Sequence, residues 1–161
     1  MGRLSKVVEG DKEPTKYTYY ENGSRYLVTY PDGTRETYLY NKNNQVTTLT
    51  NATSEEIVIT SYHYTYDAAG NQMSKSESKG KTSYTYDTLN RLSTVTEPSG
   101  KITSYAYDAA GNRKLEKVKI GNGYAATTYT YNNQNRLTFT LSTQGTETKY
   151  SYDPNGDLVK K

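Results

Sequence analysis

The chain has 161 residues, no cysteine, a single histidine, and 20 basic against 17 acidic side chains, for a net charge of +3. Disulfides and thiol chemistry are excluded, and one histidine argues against a histidine-built metal site. The near balance of scattered charge argues against nucleic acid as a partner, and no apolar run approaches membrane-spanning length.

Leu, Ile, Val and Phe together supply only 23 residues, whereas tyrosine alone supplies 19. An interior built this way is thin and amphipathic, because each phenol buries a ring and still requires a partner or water for its hydroxyl. No run of helix formers at spacing three and four appears, and no signal peptide is visible.

Taken in chain order, Gly2-Arg3-Leu4-Ser5-Lys6-Val7 reads as the second half of a repeat that then recurs seven times. Each copy opens on Tyr-x-Tyr, at Tyr17, Tyr38, Tyr64, Tyr84, Tyr105, Tyr129 and Tyr150, with steps of 21, 26, 20, 21, 24 and 21 residues. A near-fixed period of this size indicates a repeat architecture. Alternation places both tyrosines of a pair (Tyr64 with Tyr66, Tyr84 with Tyr86, Tyr105 with Tyr107, Tyr129 with Tyr131, Tyr150 with Tyr152) on one face. There the rings are expected to stack from copy to copy as a ladder.

Asp67, Asp87, Asp108 and Asp153 follow the second tyrosine, with Asn41 and Asn132 in the same place and Tyr20 in the first copy. Three residues later comes Gly or Asn every time: Gly23, Asn44, Gly70, Asn90, Gly111, Asn135 and Gly156. Gly and Asn tolerate a left-handed backbone, and an Asp or Asn side chain can close a turn onto the backbone. A short Thr-, Val- and Leu-rich run follows, as in Arg91–Thr96, and then a second turn such as Pro98-Ser99-Gly100-Lys101. Each copy is therefore two antiparallel strands. Where Asp is replaced, in the first two copies, turn closure is expected to be weaker.

Two steps are long. Asn51–Glu56 predicts a longer hairpin loop, followed by an extended strand with Val58, Tyr62, Tyr64 and Tyr66 on one face. In the other, Asn122-Gly123 is a hairpin signal. Asn22-Gly23-Ser24 and Asn51-Ala52-Thr53 match the glycosylation acceptor pattern, at a frequency expected in a chain rich in Asn, Ser and Thr.

The predicted fold is all-β: tandem antiparallel hairpins in one large curled sheet of about fifteen strands, since twisted sheets rarely exceed about ten without curling. Residues 1–161 form one array of seven repeats and an opening half. Free sheet edges predict edge-to-edge self-association.

Tyr64-Thr65-Tyr66-Asp67-Ala68-Ala69-Gly70-Asn71 and Tyr105-Ala106-Tyr107-Asp108-Ala109-Ala110-Gly111-Asn112 closely resemble the YD repeat of the Rhs family. The resemblance runs over essentially the whole chain. It implies a stretch of a β-rich shell from a longer, exported bacterial protein, secreted or at the cell surface. Its partners would be further repeats and an associated toxin or effector domain. It also implies carbohydrate binding as an alternative, for which Tyr62, His63, Tyr64, Asn122 and Tyr124 are the candidate residues. Asp153-Pro154-Asn155-Gly156 matches the core of a self-cleaving segment found after such arrays, but here it lies in register as an ordinary repeat turn. No catalytic residue, cofactor or metal is predicted, because no copy carries chemistry that the others lack.

Overall fold

A computed structural model describes residues 2–161. The chain is entirely β, and it divides into two units, one ending at Lys81 and one spanning Thr82–Lys161. The first holds β1 (Lys6–Val7), β2 (Thr15–Tyr19), β3 (Arg25–Thr29), β4 (Arg35–Tyr40), β5 (Val46–Ala52), β6 (Val58–Tyr66) and β7 (Gln72–Glu77). β8 (Gly80–Tyr86) begins at the boundary. β9 (Leu92–Thr96), β10 (Ile102–Tyr107), β11 (Arg113–Ile120), β12 (Gly123–Tyr131), β13 (Leu137–Ser142), β14 (Glu147–Lys149), β15 (Ser151–Tyr152) and β16 (Leu158–Lys160) follow.

Strand order equals chain order within each unit, and every pairing is antiparallel. β1 is bonded on one side only, to β2, and β14 on one side only, to β13. The last outgoing strand is split at Tyr150, so that β14 bonds back to β13 while β15 bonds forward to β16.

The strands are staggered. Ile102–Ser104 of β10 pair with β9, but the whole of Ile102–Tyr107 pairs with β11. The second tyrosine of a copy thus runs past the strand before it and is paired only with the strand after it.

A β-bulge recurs at the same place in all seven copies. The partner of the second tyrosine skips one residue: Tyr26, Thr47, Met73, Ser93, Lys114, Thr138 or Val159. A bulge sets two residues against one and bends its strand.

Little is buried. Val28 is the sole fully buried apolar side chain among the described residues, and Ser24, Ser74 and Thr103 are the buried polar ones. Cohesion therefore rests on ladder hydrogen bonds and cross-strand contacts, and an aliphatic core is missing.

Candidate functional site

The turns come first, since they place everything else. In all seven copies the backbone N–H after the second tyrosine donates to the carbonyl four residues on, at 2.9 to 3.0 Å. The Gly or Asn N–H donates back across the turn at 2.9 to 3.1 Å. Those Gly and Asn residues all have positive φ, from 96° at Gly156 to 58° at Asn135. Asp67 accepts both N–H groups of Asn71, backbone at 2.8 Å and side chain at 3.0 Å, and Asp108 treats Asn112 in the same way. Asp87 accepts the backbone N–H of Arg91 at 3.0 Å and its Nε at 2.7 Å. Asp153 accepts the N–H of Asp157 at 2.9 Å. The Asn71 side chain holds Asp67 below the usual carboxylate range, the Arg91 backbone does so for Asp87, and the Asn112 side chain for Asp108.

The drifted copies close equally well. Asn41 accepts the N–H of Gln45 at 3.0 Å, and at Tyr20 the backbone bonds form while Asn22 caps the Ser24 N–H at 3.0 Å. The expectation of weaker closure is corrected: the backbone pair suffices, and a carboxylate only reinforces it.

The second tyrosine of a copy reaches back to its predecessor. Its hydroxyl donates to the carbonyl at the start of the preceding copy's return strand: Tyr19 to Leu4, Tyr66 to Val46, Tyr107 to Leu92, Tyr131 to Arg113 and Tyr152 to Leu137, at 2.8 to 3.0 Å. The stagger makes this possible, because the ring lies beyond the end of the preceding strand.

Among the described residues the tyrosines of a copy face other residue types on its own return strand. Directly across from Tyr17, Tyr38, Tyr84 and Tyr105 lie Val28, Leu49, Val95 and Glu116. Cations interleave instead. Arg25 sits 5.5 and 5.8 Å from the ring centres of Tyr17 and Tyr38, and Arg113 sits 5.7 and 4.7 Å from those of Tyr105 and Tyr129. Arg91 covers Tyr107 and Arg136 covers Tyr152. A planar guanidinium gains from ring faces on both sides. Sequence reasoning missed these arginines, whose signal is a basic residue one or two places after the turn Gly or Asn.

The RHS Repeat family model matches residues 66–102 and 86–123. Residues 66–123 are thus similar to RHS repeats. No curated protein matches it. Among solved structures, the array resembles the Photorhabdus luminescens Tc holotoxin pore carrying the TccC3 mutation D651A, with a TM-score of 0.50 and 16% identity over 95% of this chain and 8% of that one. A crystal structure of TcdB2-TccC3 gives a TM-score of 0.45 and 15% identity, over 98% of this chain and 12% of that one. At such identity the pore likeness speaks for the fold, and the second score carries no argument. The chain spans about a tenth of the length of these chains.

The two long steps differ from expectation. Thr53–Ile57 close by the standard repeat turn, with Glu56 at φ 66°, and the extra residues lengthen β5 and β6. A further bulge at Ile59 pairs Val58 with Ala52. That moves Val58 to the face of Ser61, away from the Tyr62, Tyr64 and Tyr66 face. At the other step, the two central turn residues are Gly121, at φ 57°, and Asn122, while Gly123 already begins β12 opposite Ile120. Gly at the first central position is the type II′ pattern.

The five candidate sugar contacts fall in both units. Tyr62, His63 and Tyr64 lie on β6 of the first unit, and Asn122 and Tyr124 at the β11–β12 hairpin of the second. Tyr62 is half-buried 4.4 Å beneath Lys75, and Tyr64 is half-buried across from Lys75. His63 is on the opposite face, exposed, with Nδ1 3.3 Å from the Thr48 hydroxyl. Tyr124 is 59% exposed, with Lys117 4.3 Å and Lys119 5.8 Å from its ring centre. It sits directly across from Lys119, on the face opposite the Tyr129–Tyr131 pair. That second face is rich in hydroxyls, joined across strands by Thr65 with Ser74 at 2.7 Å and Thr85 with Thr94 at 2.6 Å.

Proposed function

We propose that this array is a wall segment of an RHS-type shell that encloses or displays a toxin or effector domain, and that the segment itself performs no catalysis. The carrying observation is uniformity. The turn closure and bulge recur in every copy, and the hydroxyl clasp in most, so any copy can be followed by another without new chemistry. The likeness of fold to the Tc holotoxin pore chain supports the same reading. On it, the partners are further repeats of a longer array and an enclosed or displayed cargo domain, and the parent protein is exported or surface-borne.

Limited trypsin digestion alongside small-angle scattering tests the wall reading. The chain offers 20 Lys and Arg sites. Slow cleavage confined to turns, with an ordered scattering profile, is expected. Rapid cleavage throughout, with the profile of a flexible coil, overturns it.

A second reading, glycan recognition, is favoured by Tyr124, whose exposed ring and neighbouring Asn122 offer a stacking surface and an amide. A glycan array probed with the wild type and Tyr124→Ala decides it. Reproducible hits lost in the variant are expected, and no hits, or hits unchanged in the variant, remove it.

A further inference from the structure

Nine tyrosine rings in the described residues lie under a Lys or Arg of the same chain. Tyr20, Tyr26 and Tyr40 are not among them. They contact each other instead: Tyr20 lies 5.1 Å from Tyr26, and 6.1 Å from Tyr40 at an interplanar angle of 86°. Arg25, the cation of that copy, is engaged over Tyr17 and Tyr38. The cluster exists because the first copy carries Tyr20 where four others carry Asp, and because its bulged residue is Tyr26.

Tyr20 and Tyr40 line a cleft of about 670 Å³ together with Glu21, Asn22, Leu39 and Asn41. Glu21 is exposed and makes no ion pair among the described residues. The amide oxygens are engaged: Asn22 accepts the Ser24 N–H, and Asn41 accepts those of Asn43 and Gln45 while donating to the Gln45 side chain. The Tyr20 hydroxyl donates to the Tyr38 carbonyl at 3.0 Å. Also facing the cleft are two rings set at nearly a right angle, Leu39, the Thr47 hydroxyl and the Glu21 carboxylate. A ring corner with an anion beside it favours positive charge spread over carbon.

We propose that this cleft binds an organic cation, a quaternary or alkylated ammonium group, with the Tyr20 and Tyr40 rings against its methyl groups and Glu21 at the rim. Such an ion takes here the place that arginine side chains take beside other tyrosines of the array. The site is independent of the shell reading.

Choline and its uncharged carbon isostere, 3,3-dimethylbutan-1-ol, are titrated into the ¹⁵N-labelled chain and followed by NMR. Choline should shift the amides of residues 20–22 and 39–41, and the isostere should not. Tyr20→Asn keeps the fold, since Asn41 and Asn132 hold the same turn position, and should weaken choline binding about tenfold, within the range of a cation–π contact. Glu21→Gln should weaken it about threefold. The proposal is overturned if the isostere binds as tightly as choline, if millimolar choline shifts nothing, if a hexose shifts these amides and choline does not, or if Tyr20→Asn leaves binding unchanged.

Discussion

A tyrosine in this chain has two separable roles, one for its hydroxyl and one for its ring. Tyr107→Phe keeps the ring beneath Arg91 and removes only the bond to the Leu92 carbonyl. It should cost about 1 kcal/mol in urea denaturation, the usual worth of one such bond. Arg113→Gln removes a cation shared by Tyr105 and Tyr129 and an ion pair to Glu116 at 2.9 Å. It should cost about 1–2 kcal/mol by the same measurement. The tyrosine pairs and turn aspartates were legible in the sequence, because they recur at fixed offsets. The hydroxyl acceptors were not, since they lie 15 to 20 residues away and are backbone atoms that any residue supplies. The arginines escaped notice because they alternate between two adjacent positions, as Arg25 and Arg113 against Arg91 and Arg136.

At the level of the hairpin, the turn residue with positive φ and the bulge together set register. Asn90, at φ 60°, is a sensitive probe. Asn90→Gly should be more stable than Asn90→Ala by about 1–2 kcal/mol, because only the alanine meets the left-handed penalty. Thermal melts of the two variants compare them directly, and equal midpoints would contradict the turn assignment. Strands and turn positions were readable from alternation and from Gly, Asn and Asp. The bulge was invisible: Tyr26, Met73, Ser93, Lys114 and Val159 share no chemistry, and the position is fixed by the turn before it. Glu56 adopts a left-handed backbone without being a residue that advertises it. That is why the Thr53–Ile57 turn reads in the sequence as a longer loop; the face of Val58 was illegible for a different reason, the bulge at Ile59.

For the molecule as a whole, pH sets two limits. Burial, then the Glu36 carboxylate, pushes Tyr30 from 10.0 up to about 12, and burial raises Tyr38, Tyr40, Tyr66, Tyr129 and Tyr131 in the same direction. Raised folded-state values contribute stability that is complete below the unfolded value of 10.0 and is lost as pH climbs toward about 12. Asp67, Asp87 and Asp108 lie below 3.8, so their contribution is present above that value and disappears as pH falls beneath it. Urea midpoints at about pH 3 and about pH 11 should both fall below that at about pH 7. A midpoint at about pH 11 equal to the neutral one would contradict burial of the phenols. Stability should also behave as a sum over neighbouring copies. Val28→Ala in the first unit and Tyr107→Phe in the second should be additive within about 0.5 kcal/mol.

The backward-reaching phenol has an evolutionary corollary. In five of the seven copies the join takes one main-chain oxygen from the copy before it, so it is blind to which copies meet there. Slippage that duplicates or deletes a whole copy leaves every remaining seam intact, and lineages carrying such arrays are free to differ in copy number while keeping one local geometry.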